Sequence, residues 1–348
     1  MKLDVRVLEA RMRAPVSSSR DTVDVRPLAL VTLAASDGAT GYGESAPLTG
    51  YDGVRLDDAL AALEDCRAPL AGSDAATPSE HKGLLAACER AAVLPQALAA
   101  IDLALWDLAG RRAGQPVWRL LHGAGSAPAI EVNATIAAAD RAGAATEAAA
   151  ARAAGYRCLK LKVGVGDDAG RVAAVRAVAG RDMRLRLDAN GVWSAQEALT
   201  ALRMLGPAGI ELCEEPVSGL AALAHVADQT EVPLALDETT VQPGALDTRA
   251  CTAVCLKISR CGGITGLLAA ARRARVAGYE VYLASTHDGP LGIAAALHAA
   301  GAIEPDRPCG LATLALFDRP DPLPARDGRI APPPGPGLGD GLLHWYGA

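Results

Sequence analysis

The sequence predicts an α/β fold: a (β/α)7β TIM-like barrel preceded by a smaller α+β domain. Three observations carry that prediction. Eight short, mostly apolar strands recur from residue 130 onward, about 20 to 30 residues apart, as in a closed parallel barrel. Ala-rich helical segments separate them, and Pro- and Gly-rich chain replaces the helix expected after the last. The first third instead alternates like an antiparallel sheet and then turns helical.

Taken in order, LDVRVLEARM (3–12) and RPLALVTLAAS (26–36) alternate in character, and SDGATGYGES (36–45) supplies turn residues. From Leu56 to Gly123 the pattern is helical. In QALAAIDLALWDLAGRRAG (96–114), Ile101, Leu105 and Leu108 recur at helical spacing, and Gly110 and Gly114 stop the run. The barrel strands read as IEVNAT (130–135), CLKLKV (158–163), RLRLDA (184–189), IELCEE (210–215), PLALDE (233–238), AVCLKI (253–258), EVYLAS (280–285) and GLATLAL (310–316). Seven are followed by helix-like segments; DRPDPLPARDG and PPPGPGLGDG follow the eighth. The expected domains are residues 1–125 and a barrel over 126–318.

The chain has 348 residues, half of them apolar, which supports a sizeable core. Its net charge of −6 argues against non-specific nucleic-acid binding, and Phe317 is the sole phenylalanine, so no stacking platform is expected. The start, MKLDVRVLEARMRAP, lacks the apolar stretch of a signal peptide, and the longest apolar run, LGIAAALHAAGAI, is interrupted by His298. A cytoplasmic protein with no membrane contact is expected; the sequence leaves a homo-oligomer open. The eight cysteines follow no disulfide or zinc spacing and read as small apolar fillers.

Charge falls at one place in each central strand. Side chains alternate between strand faces, so Lys160 and Lys162 share one face while Leu159, Leu161 and Val163 share the other. The next three strands end in Asp188, Glu214 and Asp237, and the sixth carries Lys257. These are C-terminal strand ends, where a barrel of this type builds its active site. One such acid is usually a turn residue, but three converging carboxylates repel unless a cation lies among them. Oxygen-only ligands suit a hard divalent ion such as Mg²⁺, with Mn²⁺ as a substitute. Such an ion stabilises the enediolate formed when a carbon acid loses its α-proton. A lysine accepts that proton only when neutral, and a second ammonium two residues away favours the neutral form.

These residues resemble the enolase superfamily, and within it the muconate lactonizing enzyme subgroup. The motifs are KLK (160–162), DAN (188–190), EEP (214–216), DET (237–239) and LKISRCGG (256–263), with GYGESAPL (41–48) similar to the mobile cap loop. The resemblance implies an α+β capping domain on the barrel, completed by the tail 319–348 returning to it. It implies Asp188, Glu214 and Asp237 as metal ligands and Lys162 and Lys257 as acid/base groups on opposite substrate faces. Lys160 would tune Lys162; Asn190 and Glu238 would support the site from behind, Glu238 by holding Lys257. Thr135, Ser285, Asp288 and Tyr51 are the expected contacts to a small carboxylate substrate. Arg186, lumenal on the same register, is expected in a buried ion pair below the metal. Loops around Ser17–Asp21 and Leu48–Gly53 are expected to close over the substrate.

All reactions of the subgroup begin from one enediolate, so these motifs do not choose among them. Dipeptide epimerases of similar pattern carry Asp-x-Asp on the eighth strand; here Gly310 and Ala312 take those places. GLATLALF is closer to o-succinylbenzoate synthase, so a syn dehydration, making the protein a carbon–oxygen lyase, is the main expectation. N-acylamino acid racemase or epimerase, or muconate-type cycloisomerase, is the alternative; a catalytically silent binding relative is the non-enzyme one. His287 invites a mandelate-racemase-like base, but that arrangement pairs its His with an Asp where this chain has Lys257. VGVGDDAG (163–170) imitates a dinucleotide fingerprint but is one residue too long.

Overall fold

The computed structural model describes all residues except 18–20, 74–77, 124 and 348. The first expected lid segment, Ser17–Asp21, therefore lies partly outside the described residues. Strands β1 (Lys2–Ser17), β2 (Thr22–Ala34) and β3 (Thr40–Ser45) form an antiparallel meander. Helix Pro95–Ala113 packs across it, with Pro at its first turn and left-handed Gly114 as its C-cap. Fit explains the glycines of GYGES: a Cβ on Gly43 would overlap the Ala100 carbonyl oxygen of that helix, and one on Gly41 that of Ala104.

The expected first barrel strand is two pieces. β4 (Ile130–Glu131) pairs antiparallel with Arg329–Ile330, and β5 (Ala134–Ile136) begins the parallel sheet. That sheet continues in sequence order through β6 (Cys158–Lys162), β7 (Arg184–Asp188), β8 (Ile210–Glu214), β9 (Leu234–Leu236), β10 (Ala253–Lys257) and β11 (Glu280–Ala284). The expected eighth strand, 310–316, is not a full strand. Cys309 bridges Val132, Gly310 bridges Ala284, and the barrel closes through those two residues. The chain then leaves the sheet: Thr313 shares a 2.7 Å hydroxyl hydrogen bond with Ser285, and Leu314–Leu316 forms a 3₁₀ turn. After β9 there is likewise a 3₁₀ turn, Glu238–Val241, where a helix was expected. Pro243 and Gly244 follow it directly and are poor helix formers.

Among the described residues the remaining six crossovers are helical; side-chain caps set the starts of three, and Gly219, Gly263 and Gly289 precede the other three. Asp140 accepts from Gly143 N, Asp167 from Gly170 N, and Ser194 forms a capping box with Glu197. VGVGDDAG is thereby a capped helix start. Alanines 144, 148, 198, 271 and 274 on the crossover helices are buried in one core with Leu159, Leu161, Leu185, Leu187 and Leu212. No described helix is long and apolar enough to cross a membrane. His298, inside the buried helix Pro290–Ile303, accepts from Trp118 N at 3.1 Å and contacts the Leu338 carbonyl at 3.2 Å, tying that helix to the tail.

The tail ends in a buried polar seam. Glu44 at the end of β3 accepts from Tyr346 OH and from Gly289 N at 2.7 Å, and Tyr346 OH accepts from Leu291 N at 2.9 Å. Burial pushes the Glu44 carboxyl up to about 8, with the nearby Asp288 adding to it.

Two outcomes follow. Gly43→Ala should destabilise the fold by about 1–3 kcal/mol through overpacking against Ala100, read by denaturant unfolding. Glu44 binds its proton more tightly folded than unfolded, so its contribution to stability falls as pH rises from about 4.5 to about 8. Glu44→Gln should match the parent near pH 4.5 and gain on it toward pH 8, measured as the difference in Tm across that range.

Candidate active site

Strand parity puts the expected charges together at the C-terminal mouth. Lys160 donates to Glu214 at 2.6 Å and lies 2.8 Å from Asp188 Oδ2; Lys162 reaches the same Oδ2 at 2.7 Å. Lys162 also donates to Asn190 Oδ1 at 2.8 Å, and Asn190 donates to Glu238 at 3.0 Å. On the far wall Lys257 donates to Asp237 Oδ2 at 2.6 Å. Glu238 thus partners Asn190, while the group bound to Lys257 is Asp237: leaving β9, the chain turns into its 3₁₀ segment and carries Glu238 toward β7.

Asp188, Glu214 and Asp237 are each about 1% exposed, so their charges are compensated within the protein. Burial opposes ionisation of Asp188, but Lys160 and Lys162 overcome it and hold its carboxyl below the usual range. Asp237 is held low in the same way by Lys257 and Lys160. Glu214 goes the other way: burial, opposed by Lys160 but reinforced by Asp188 and Asp237, pushes it up to about 7. That excess of negative charge is what a divalent cation relieves, and hard carboxylate oxygens fit Mg²⁺. Ligand atoms of Glu214, Asp237 and the Cys255 thiol already lie within 4.8 Å of one another; Asp188 is engaged by the two lysines.

Glu215, next to Glu214, does not join the lumenal cluster. It takes a left-handed φ of 39° and turns outward, accepting from Asp237 N at 2.7 Å and Thr239 N at 3.0 Å, so it fixes the β9 turn. Arg186 has its ion-pair partner in Glu211, 2.9 Å away. Sequence parity hid this pair because β8 has a register shift there: Leu185 pairs Ile210 while Arg186 already pairs Leu212.

Among the expected substrate contacts, Tyr51 reaches the site. Its hydroxyl donates to Asp237 and accepts from Arg260 at 2.9 Å, and its ring centroid lies 3.8 Å from Lys257 Nζ. Thr135 pairs with Lys160 across β5 and β6, and Ser285 is bound to Thr313. Asp288 goes elsewhere. His287, at φ 56°, turns the chain, so that Asp288 is buried and accepts from Thr286 Oγ1 at 2.8 Å. His287 takes its place in a cavity of about 60 Å³ whose wall includes Val23, Leu48, Tyr51, Lys162 and Asn190. A larger cleft of about 610 Å³ opens on the flank near Pro95 and Pro243; Asp237, Cys255, Lys257 and Arg260 are also in its lining, so it reaches the far wall of the same site, while Lys162, Asn190 and His287 border the small cavity at the mouth. Tyr282, whose OH donates to Glu214 at 2.5 Å, and Cys255 were missed; Cys255 lies two residues before Lys257 and shares its parity, whereas Tyr282 has the parity opposite to the expected Ser285 and gave no such signal.

Residues 143–342 match the family described as "Enolase C-terminal domain-like", and residues 2–122 the mandelate racemase / muconate lactonizing enzyme N-terminal domain. An N-succinyl-L-Arg/Lys racemase from Bacillus cereus is 30% identical over 299 residues, covering 83% of this chain and 80% of that protein. The structure of a dipeptide epimerase from Enterococcus faecalis, complexed with Mg and L-Leu-L-Tyr, superposes with a TM-score of 0.88 at 26% identity over 97% of this chain and 98% of that one. A muconate lactonizing enzyme from Pseudomonas fluorescens, complexed with muconolactone, superposes with a TM-score of 0.88 at 26% identity, covering 97% and 95%.

Tyr51→Phe keeps the ring over Lys257 and removes the hydroxyl linking Asp237 to Arg260. Its unfolding free energy should fall by about 1–2 kcal/mol, and Tyr51→Leu should cost more because the ring is lost too; urea titration measures both.

Proposed function

Since the chain belongs to the enolase superfamily, in its muconate lactonizing enzyme subgroup, we propose that it is a racemase or epimerase moving the proton α to the carboxylate of an N-acylated amino acid. The observation that carries this is the placement of Lys162 and Lys257. They end the second and sixth of eight barrel positions, so they face each other across the mouth. A substrate α-carbon between them meets one amine on each face, and each lysine can take the proton that the other returns. Asn190 and Asp188 aim Lys162. Lys160, which Asp188 and Glu214 keep charged against the effect of burial, presents a fixed cation to the substrate carboxylate. Asp188, Glu214 and Asp237 would hold Mg²⁺, or Mn²⁺ in its place, which when bound supplies Lewis-acid stabilisation of charge on that carboxylate. The mouth cavity, about 60 Å³, is far below the roughly 300–1,000 Å³ of a typical ligand site, and the loop carrying Tyr51, which forms part of its wall, is the element whose lifting would enlarge it.

The eighth strand argues for an acylated rather than a free amine. Gly310 and Ala312 offer no carboxylate to an ammonium, and a Cβ at 310 would lie 3.1 Å from Ala284 Cβ. The Bacillus cereus relative, named for N-succinyl amino acids, is consistent with that choice. A second reading is syn dehydration of the o-succinylbenzoate synthase type. It is favoured by the Tyr51 ring and the Asp237 carboxylate against Lys257, which suit a lysine that stays cationic while Lys162 alone moves protons.

Incubation with Mg²⁺ in D₂O against N-succinyl amino acids, dipeptides, muconate and the dehydratase substrate decides between them. For a racemase, deuterium enters the α-carbon, and Lys162→Ala and Lys257→Ala each cut turnover about 10³-fold. Loss of water with turnover surviving Lys257→Arg would favour the dehydratase. EDTA should abolish either activity; no exchange on any substrate, with no effect of EDTA, refutes α-proton chemistry.

A further inference from the structure

His287 is the polar side chain of the mouth that the lysine and carboxylate network leaves unused. Its Nδ1 is buried and has no hydrogen-bond partner among the described residues, although its ring borders the cavity shared with Lys162 and Asn190. A buried, unbonded ring nitrogen is costly, and a ligand atom bonded to it would recover that cost. The ring is also held in place. His287 holds a left-handed φ of 56°, which histidine tolerates better than most residues, and the chain is pinned on both sides of it. Arg26 Nε donates to the Thr286 carbonyl at 3.1 Å, Thr286 Oγ1 bonds Asp288 at 2.8 Å, and Gly289 N donates to Glu44 at 2.7 Å. Backbone strain kept by such fixing is a mark of a preorganised ligand contact.

The surroundings define the chemistry of that ligand atom. Burial, helped by Arg26 and then by Lys162, Lys257 and Lys160, pushes the His287 imidazole down to about 3, so it is neutral and offers one N–H donor. A neutral imidazole N–H pairs with an oxygen acceptor and has nothing at that nitrogen to offer a ligand ammonium. The carboxylate end of a substrate would be taken by Lys160 and by the cation that Asp188, Glu214 and Asp237 would hold, and the α-carbon by Lys162.

We infer that His287 is a specificity-determining residue whose imidazole N–H binds the acyl carbonyl oxygen next to the α-nitrogen of an N-acylated amino acid. This rests on the substrate class proposed above. It gives that class a physical basis: the pinned loop reads the acyl group and the lysines act on the adjacent carbon.

The test is calorimetric titration of the Mg²⁺-loaded protein with two probes. N-succinylglycine carries the acyl carbonyl; heptanedioate is a dicarboxylate of the same length without the amide. His287→Asn suits the left-handed backbone but is too short to reach. It should weaken N-succinylglycine about tenfold and leave heptanedioate within about twofold. His287→Gly, also compatible with φ 56°, repeats the comparison if the Asn variant fails to fold. In turnover, KM for N-succinyl amino acids should rise about tenfold with kcat within about threefold. Equal weakening of both probes, no weakening, no binding of N-succinylglycine by the parent, or a collapse of kcat at constant KM would each overturn the assignment. If the parent exchanges no α-proton in D₂O, the functional reading fails; the binding comparison needs no turnover and still decides the role of His287.

Discussion

The carboxylate of Asp188 takes two ammonium groups on one oxygen, Lys160 at 2.8 Å and Lys162 at 2.7 Å, and the rest of the mouth is arranged around that contact. Three buried acids on adjacent strand ends would be costly alone. Lysines on both sides compensate Asp188 and Asp237, and Glu214 carries the remaining excess. The same charges that make the site expensive to fold make it able to hold a divalent cation and move protons, since both tasks need ionisable groups kept from water.

That cluster is almost fully buried, and the cap domain closes one side of it. Tyr51 lies on Lys257 and bonds Asp237, so the loop after β3 contacts the reactive groups directly. Behind it, Glu44, Tyr346 and Gly289 join β3, the last residues of the chain and the loop after β11 in one buried seam. Arg26 donates to the Ala46 and Thr286 carbonyls and ties the cap loop to that same barrel loop. Placement of His287 is therefore coupled to the docking of both chain ends.

Much of the site was legible because alternation along a strand is a short-range rule. Once CLKLK is a strand, Lys160 and Lys162 share a face whatever surrounds them. Strand-end position, together with the family motifs, pointed to Asp188, Glu214, Asp237 and Lys257. Alternation failed where the backbone breaks the rule. The register shift in β8 brought Glu211 to Arg186, the turn after β9 sent Glu238 to Asn190, and the positive φ of His287 exchanged it with Asp288. The final strand shrank to Cys309–Gly310 because a 3₁₀ turn followed.

By itself the sequence determined the barrel, the order of charges around its mouth and the chemistry those charges allow, because periodicity and strand-end position are local properties of the chain. Only the tertiary structure decided which groups pair, which acid supports rather than faces the mouth, and which of two neighbouring loop residues reaches the cavity. Those outcomes depend on bulges, left-handed residues and contacts between segments up to about 300 positions apart, such as Glu44 with Tyr346, and no local pattern encodes them.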